Sequence, residues 1–328
     1  MLEMCWVRDC VPAQVQGRAG PARGLGLEAP VRSPVTGGFM NQLTDISTIR
    51  EILDRHGFHF SKSLGQNFLI NPSVCPRMAE SCGAGKGVGV LEIGPGIGVL
   101  TRELARVAEK VAAIELDMRL LPVLEETLAD FPNVSVIHGD VMTLDLLPLL
   151  EREFPGMDVV VCANLPYYIT SPVIMRLLEE DLPITALTVM VQKEAAVRIC
   201  AEPGTRECGA VSVAVRYYSE PEILFPVSRG SFMPAPNVDS AVIRLRMRPD
   251  RERDPEKRRD FFRVVRASFG QRRKTILNSL ASGLALPKQE VSQLLENAGI
   301  PANARAEQLT MEQFSRLAAE IGKNGGTV

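Results

Sequence analysis

Residues 88–101 read Val-Gly-Val-Leu-Glu-Ile-Gly-Pro-Gly-Ile-Gly-Val-Leu-Thr, an apolar run followed by glycines at 94, 96 and 98. The pattern predicts a buried strand, a glycine loop and then a helix, because glycine permits sharp turns and the close approach of a ligand. The spacing G-x-G-x-G differs from the dinucleotide fingerprint G-x-G-x-x-G. Gly85-Lys86 is followed by Gly87 and not by the Ser or Thr of a phosphate-binding P-loop. We therefore expect a ligand-binding loop that is neither of these two types.

Three further predicted strands also end in polar residues. They run over residues 110–114, ending at Glu115; 134–137, ending at Gly139-Asp140; and 157–163, ending at Asn164. A carboxylate at the tip of the second strand is placed to accept hydrogen bonds from both hydroxyls of a ribose. A carboxylate after the third strand can accept one from an adenine amino group. Each carboxylate alone is equally well explained as a helix cap, but four such strand ends in succession favour a binding site.

The fourth strand leads into Asn164-Leu165-Pro166-Tyr167. The Asn side-chain oxygen and a backbone carbonyl of the turn, that of Leu165 or Pro166, can both accept hydrogen bonds from an exocyclic amine, and the Tyr ring can stack on a flat base. The tetrapeptide by itself is weak evidence, since Asn and Pro are common in turns. It gains weight from the three strand ends that precede it.

Taken in order, these motifs resemble a class I S-adenosylmethionine-dependent methyltransferase that acts on an adenine N6. Three flanking segments narrow the resemblance: KSLGQNFL at 62–69, VQKE at 191–194 and SFMPAPNVDS at 231–240. The set is similar to the KsgA/RsmA family of small-subunit (16S) ribosomal RNA adenine dimethyltransferases, over roughly residues 40–320. It fits that family better than the erythromycin-resistance methylases, which act on large-subunit RNA.

The resemblance implies an α/β fold of the Rossmann-like, class I methyltransferase type, with a mostly parallel seven-stranded sheet and a small all-helical C-terminal domain. We expect the methyltransferase domain at 40–250 and the helical domain at 251–328. Crossover helices are predicted near 98–108, 118–129 and 172–180, and an antiparallel pair at 222–227 and 240–246 closes the sheet. Residues 209–218 are ambiguous: the alternating Val residues favour a strand, whereas the resemblance implies a helix.

The resemblance also assigns roles to individual residues. The residues expected to hold S-adenosylmethionine are Asn67, Leu69, Gly94, Gly96, Glu115, Asp140 and Asn164. The residues expected to hold the target adenine are Asn164, Leu165, Pro166, Tyr167 and Phe232, with Phe232 open to explanation as ordinary core packing. Apart from the resemblance, our candidates for contact with the RNA backbone are the basic residues Lys62, Arg272, Arg273 and Lys274.

The implied reaction is dimethylation of N6 of two adjacent adenosines in the hairpin near the 3′ end of 16S rRNA, on an assembling small subunit. We expect a cytoplasmic monomer with no metal and no membrane association. Two alternatives stay open: an adenine methylase acting on DNA or large-subunit RNA, and a non-catalytic factor that binds pre-ribosomal subunits or acts in transcription.

The charge distribution agrees with an RNA substrate although the net charge is −2. Residues 241–280 contain 13 Lys and Arg against 5 Asp and Glu, a net charge of +8, so the remainder carries −10. Such asymmetry indicates a basic surface on an otherwise acidic protein. The seven cysteines lack zinc-ligand spacing and are expected to be reduced thiols. No apolar run approaches the ~20 residues needed to span a bilayer.

Residues 1–39 are rich in Gly, Pro, Ala and Arg, without a periodic apolar pattern. They lack the long hydrophobic core of a signal peptide, and three acids and poor amphipathicity count against a mitochondrial presequence. Met40 opens the stretch that looks like the beginning of the family. We therefore expect residues 1–39 to be disordered, or an artefact of an upstream start codon. The intact mass of the protein made from its native gene tests this.

Overall fold

Seven strands form the central sheet in the computed structural model, which describes residues 43–58, 67–271 and 273–324. The strands in chain order are β1 (Phe68–Leu69), β2 (Val88–Ile93), β3 (Lys110–Glu115), β4 (Val134–His138), β5 (Asp158–Asn164), β6 (Ile184–Gln192), β7 (Ser219–Val227), β8 (Phe232–Met233) and β9 (Ser240–Met247). The order across the sheet is β4-β3-β2-β5-β6-β9-β7, and β1 pairs separately with β8. The first five strands of this order are parallel and the last two pairings are antiparallel, as predicted.

Helices cover the sheet and continue beyond it. Those within the sheet region are α1 (Ile46–Arg55), α2 (Val74–Ser81), α3 (Val99–Val107), α4 (Leu121–Thr127), α5 (Leu146–Glu153), α6 (Thr170–Glu179), α7 (Lys193–Ile199) and α8 (Ala210–Tyr218). The C-terminal helices are α9 (Pro255–Phe269), α10 (Ile276–Leu284), α11 (Lys288–Asn297) and α12 (Met311–Asn324). Helix α8 resolves the ambiguity over 209–218 in favour of the helix. Helix α5 adds a crossover to the three predicted. No helix in the described ranges is long and apolar enough to cross a membrane.

The chain order of the strands places a binding site at one edge of the sheet. From β2 the chain proceeds to β3 and β4 on one side, and then returns to β5 and β6 on the other side of β2. In open parallel sheets, ligands bind at the carboxyl ends of the strands where the order reverses in this way. The loops after β2 and β5 therefore flank the expected site.

The C-terminal helices share a hydrophobic core with the sheet. Tyr217 and Tyr218 of α8 contact Phe261 and Phe262 of α9, with ring centroids 4.3 Å apart for Tyr217–Phe261 and 5.5 Å apart for Tyr218–Phe262. One cluster of buried residues extends from Leu91 in β2 to Ile321 in α12. The all-helical C-terminal region is thus present, while the boundary between 250 and 251 stays a prediction. Residues 1–39 lie outside the described ranges.

Candidate functional site

The ends of β2, β3, β4 and β5 meet around one open cavity, as their parallel arrangement requires. Its empty volume is about 1120 Å³, including the open mouth. The predicted residues that line it are Asn67, Leu69, Gly94, Gly96, Glu115, Asp140, Asn164, Leu165, Pro166, Tyr167 and Phe232. Every residue predicted for the cofactor or the target base is therefore brought to the same cavity.

The glycine loop after β2 has the left-handed backbone that its sequence predicts. Gly94 has φ +71° and Gly96 has φ +61°. A Cβ at Gly96 would lie 3.2 Å from Cε1 of Phe68, whereas a Cβ at Gly94 would meet nothing within 4 Å. Gly94 therefore faces open space in the cavity, and Gly96 lets the Asn67–Leu69 segment pack directly on the loop.

Glu115 at the end of β3 is buried beside this loop. Its Oε1 accepts a hydrogen bond from the backbone N of Asp117 at 2.8 Å, and its Oε2 faces the backbone N of Gly96 at 3.4 Å. Burial raises the pKa of Glu115, and the bonds from the two backbone groups oppose that shift. Each oxygen keeps capacity for a further donor, as a carboxylate accepts about four hydrogen bonds.

Glu92 lies one residue before the end of β2, in the glycine-loop motif, and the sequence predicts no role for it. It is only 1% exposed, yet it lines the cavity. Its Oε2 has no hydrogen-bond partner within the described residues. Burial raises the pKa of Glu92 to about 8, nearby Glu115 adds to the rise, and the Thr101 hydroxyl opposes it. An unpartnered buried carboxylate is costly, so Glu92 holds a proton in the ligand-free protein, and a positively charged ligand would favour its ionised form.

Asp140, in the loop after β4, acts on its own loop as well as lining the cavity. Its Oδ1 accepts a hydrogen bond from the backbone N of Met142 at 2.8 Å, which closes a turn and does not cap a helix, because the next helix, α5, begins at Leu146 after Asp145. Arg176 of α6 donates to the carbonyl oxygen of Val141 and, at 2.7 Å, to that of Leu144. Because α6 follows the Asn164 turn, this arginine fixes the Asp140 loop relative to that turn.

The turn after β5 distinguishes between the two carbonyls that the sequence left open. The carbonyl oxygen of Pro166 already accepts from the backbone N of Ile169 at 3.1 Å and from Oγ1 of Thr170 at 3.2 Å. Across the described ranges, neither the Leu165 carbonyl nor the Asn164 side chain has such a bond. The geometry therefore favours Leu165 over Pro166 as the second acceptor.

Two predicted aromatic residues are held firmly at the cavity. The hydroxyl of Tyr167 lies 2.8 Å from Oγ of Ser240, the first residue of β9, and burial raises the pKa of Tyr167. The protonated Tyr167 hydroxyl thus ties its ring to the first residue of β9. Phe232 pairs with Leu69 between β8 and β1 and is 4% exposed. It belongs to the core and lines the cavity, so both explanations considered for Phe232 agree with its position.

Tyr168 is a cavity residue that sequence reasoning missed. It is 45% exposed and lines the cavity beside Tyr167. Burial of part of the ring raises its pKa, with a further rise from the charge of Asp140. The sequence shows a second aromatic residue directly after Tyr167, but nothing in it predicts which of the two rings faces the cavity.

The predicted RNA-contacting residues do not line the cavity. Arg273 and Lys274 are exposed in the segment between α9 and α10, and neither forms an ion pair with a described residue. Unpaired exposed cations are suited to phosphate contact. Lys62 and Arg272 lie outside the described residues.

Comparisons with known proteins agree with this site. Residues 57–323 match the family model described as "Ribosomal RNA adenine dimethylase". The chain is 46% identical over 278 residues to "Ribosomal RNA small subunit methyltransferase A" of Clostridioides difficile, covering 85% of this chain and 96% of the relative. It is 49% identical over 280 residues to the protein of the same name from Geobacillus sp. (strain WCH70), covering 83% and 96%.

Two solved structures are also similar. The 23S rRNA methyltransferase ErmE is 31% identical with a TM-score of 0.62, covering 77% of this chain and 99% of that one. A dimethyladenosine transferase from Plasmodium falciparum is 26% identical with a TM-score of 0.66, covering 79% and 98%. The chain therefore belongs to the ribosomal RNA adenine dimethylase family of S-adenosylmethionine-dependent methyltransferases.

Proposed function

We propose that this enzyme dimethylates N6 of two adjacent adenosines in the hairpin near the 3′ end of 16S rRNA, on an assembling small ribosomal subunit. The observation that carries the proposal is the convergence of the Asn164 turn with the glycine loop and the carboxylates of β2, β3 and β4 on one cavity. We further propose that it acts as a cytoplasmic monomer and that Lys62, Arg272, Arg273 and Lys274 contact the RNA backbone.

The residues present fit S-adenosylmethionine, which supplies a methyl group activated on a positively charged sulfonium. Glu92 offers a buried carboxylate with an unpartnered oxygen to the cationic part of the molecule. Glu115 would accept hydrogen bonds from the ribose hydroxyls, and Asp140 would accept one from the adenine amino group. Gly94 leaves room for the methionine portion, and Asn67 and Leu69 cover it.

The Asn164 turn would orient the target amine. The lone pair of an adenine amine is delocalised into the ring, so the amine is a poor nucleophile. With the amino hydrogens held by Oδ1 of Asn164 and the carbonyl oxygen of Leu165, the lone pair points toward the methyl group. Positioning of this kind can contribute ~7–11 kcal/mol to lowering the barrier. The mechanism requires no dedicated general base.

The aromatic residues would hold the adenine after it leaves the RNA stack. Tyr167 would lie against one face and Phe232 against the other, and these two rings then take the place of the neighbouring bases from which the adenine was flipped out. Dimethylation requires that an amine with one methyl group already attached rotates and rebinds. The open mouth of the cavity provides the space for that second round.

The identity values favour small-subunit over large-subunit RNA. The relatives named as small-subunit methyltransferases are 46% and 49% identical to this chain, against 31% for the 23S rRNA methyltransferase. Conserved folds host different substrates, so the choice rests on this difference together with the flanking segments and not on the fold.

The test is methyl transfer from labelled S-adenosylmethionine to small subunits from cells that lack the modification, followed by nucleoside analysis. We expect dimethyladenosine at two adjacent positions of the small-subunit RNA. Methyl incorporation into only large-subunit RNA or DNA would support methyl transfer as the reaction and would reject small-subunit RNA as the substrate. Binding to small subunits without any incorporation would support the non-catalytic alternative.

A further inference from the structure

A second depression lies beside the cavity, at the ends of β6 and β9. We define it as the strand-end groove by six of its residues: Gln192, Lys193, Val197, Arg229, Asn237 and Val238. Along the carboxyl edge of the sheet, the cofactor residues belong to β4, β3 and β2, and the Asn164 turn to β5. The groove follows on β6 and β9, on the side away from the cofactor.

The groove is joined directly to the target-base residues. Ser240, which holds the Tyr167 hydroxyl at 2.8 Å, pairs with Gln192 of β6. Asn164 itself pairs with Met190, two residues before Gln192 on the same strand. Adjacent strands are about 4.8 Å apart, so a nucleotide next to the one in the cavity would reach the groove. The opposite side of the cavity is taken by the cofactor residues.

The groove carries two cations without ion-pair partners among the described residues, Lys193 and Arg229, both exposed. Its two acids, Asp239 and Glu194, do not form an ion pair with the side chain of either cation among the described residues. Oδ1 of Asp239 accepts from the backbone N of Arg229 at 2.9 Å, and Glu194 lies 3.7 Å from Arg198. The cations are therefore free to bind a phosphate, which charged side chains hold with relatively strong hydrogen bonds.

The remaining groove residues suit the sugar and base of a nucleotide. Val197 and Val238 are 43% and 45% exposed, and both line the groove. The side-chain amides of Gln192 and Asn237 have no hydrogen-bond partner within the described residues. Amides of this kind pair with adenine through a donor and an acceptor.

We propose that the strand-end groove binds the nucleotide adjacent to the adenosine under methylation, with its phosphate at Lys193 and Arg229 and its base at Gln192 and Asn237. The proposal rests on the proposed function, which requires two neighbouring adenosines. The groove then holds one adenosine while the other is in the cavity, and this fixes the register of the pair.

The first test measures binding of an RNA hairpin containing two adjacent adenosines, without cofactor, over a range of salt concentrations. For the double variant Lys193→Ala/Arg229→Ala we expect about tenfold weaker binding at low salt. We also expect the slope of log affinity against log salt to fall by about 0.7, as for one single-stranded phosphate contact. Lys86→Ala is the control, because Lys86 is exposed just before β2 begins, at the opposite edge of the sheet. An unchanged slope in the double variant overturns the proposal.

The second test separates this proposal from the proposed function. In methylation of small subunits, the double variant should raise KM about tenfold and leave kcat within about twofold, with unchanged affinity for S-adenosylmethionine. A wild-type protein that fails to methylate small subunits would reject the proposed function, while the salt dependence still reports on the groove.

Replacing the neighbouring adenosine by an abasic site should weaken RNA binding by the wild-type protein and have little effect on binding by Gln192→Ala/Asn237→Ala. Equal losses in both proteins contradict the base contact.

Discussion

Asn164 is the residue at which we expect a single side chain to control the rate of methyl transfer. It is the last residue of β5, its amide has no hydrogen-bond partner among the described residues, and it lines the cavity. Asn164→Ala should lower kcat at saturating S-adenosylmethionine at least about 100-fold, by analogy with the loss of one aligned polar group in other active sites. Rates of methyl incorporation measure this. Asn303→Ala, at an exposed asparagine between α11 and α12, should match the wild type.

The same variant tests whether catalysis and subunit binding are separable. The phosphate contacts that we propose lie outside the Asn164 turn, and contacts of this kind commonly supply a large share of the affinity for nucleic acid. Asn164→Ala should therefore bind small subunits as the wild type does. If Asn164→Ala lost both methylation and small-subunit binding, the two would not be separable at this residue.

Glu92 links the stability of the ligand-free protein to pH. Its pKa is about 8 in the folded protein and near 4.5 as an ordinary carboxyl. Between these values the folded protein holds a proton that the unfolded chain has released, so the free energy of unfolding falls as pH rises through this window. The loss of stability by pH 8 is on the order of 4 kcal/mol.

Glu92→Gln should remove this contribution because the amide does not titrate. We expect the variant to gain stability relative to the wild type as pH rises from 5 to 8, measured by denaturant unfolding without ligand. It should also bind S-adenosylmethionine more weakly, because a carboxylate opposite the cation is lost. Parallel pH profiles for the two proteins would mean that Glu92 titrates normally.

At the scale of elements, the loop from β2 to α3 needs glycine at position 94 for two separable reasons, its positive φ and the space that it leaves in the cavity. Gly87 shares only the first of these and serves as the comparison. Gly94 and Gly87 both have positive φ, +71° and +78°, and a Cβ at either would meet nothing within 4 Å. Alanine at either position should cost about 1–2 kcal/mol from backbone strain alone. Of the two glycines, only Gly94 lines the cavity, whereas Gly87 immediately precedes β2.

Gly94→Ala should therefore weaken binding of S-adenosylmethionine, while Gly87→Ala should lose similar stability and retain wild-type affinity. Isothermal titration gives the affinities, and denaturant unfolding gives the stabilities. An equal loss of affinity in both variants would show that strain, and not the added methyl group, causes it.

The elements also show what the sequence was able to predict. The strand ends were correct because parallel strands place successive loops at one edge whatever their side-chain details. Helix α8 was ambiguous because the packing that buries Val213 and Val215 overrides the strand preference of valine. The strand-end groove was not predictable, because it depends on the antiparallel register that places Ser240 opposite Gln192. The choice of Leu165 over Pro166 depends likewise on bonds made by Ile169 and Thr170.

At the scale of the whole molecule, the active cavity and the C-terminal helices are supported by one continuous core. Ring pairs among Tyr217 and Tyr218 of α8 and Phe261 and Phe262 of α9 have centroids 4.3–5.5 Å apart. Aromatic pairs contribute beyond the area that they bury. The basic segment that begins in β9 and runs through α9 is thus packed onto the sheet, which would fix the distance from the proposed phosphate contacts just after α9 to the Asn164 turn.

This shared core predicts that the protein unfolds as one cooperative unit, despite the predicted boundary between residues 250 and 251. Phe262→Ala, at a side chain that is 6% exposed, should lower the free energy of unfolding by about 3–5 kcal/mol. Calorimetry should show one transition in the wild type and one transition at lower temperature in the variant. The control Phe58→Ala removes a similarly buried ring from a different hydrophobic cluster, next to α1. If α9–α12 formed an independent domain, Phe262→Ala would instead shift only one of two separate transitions.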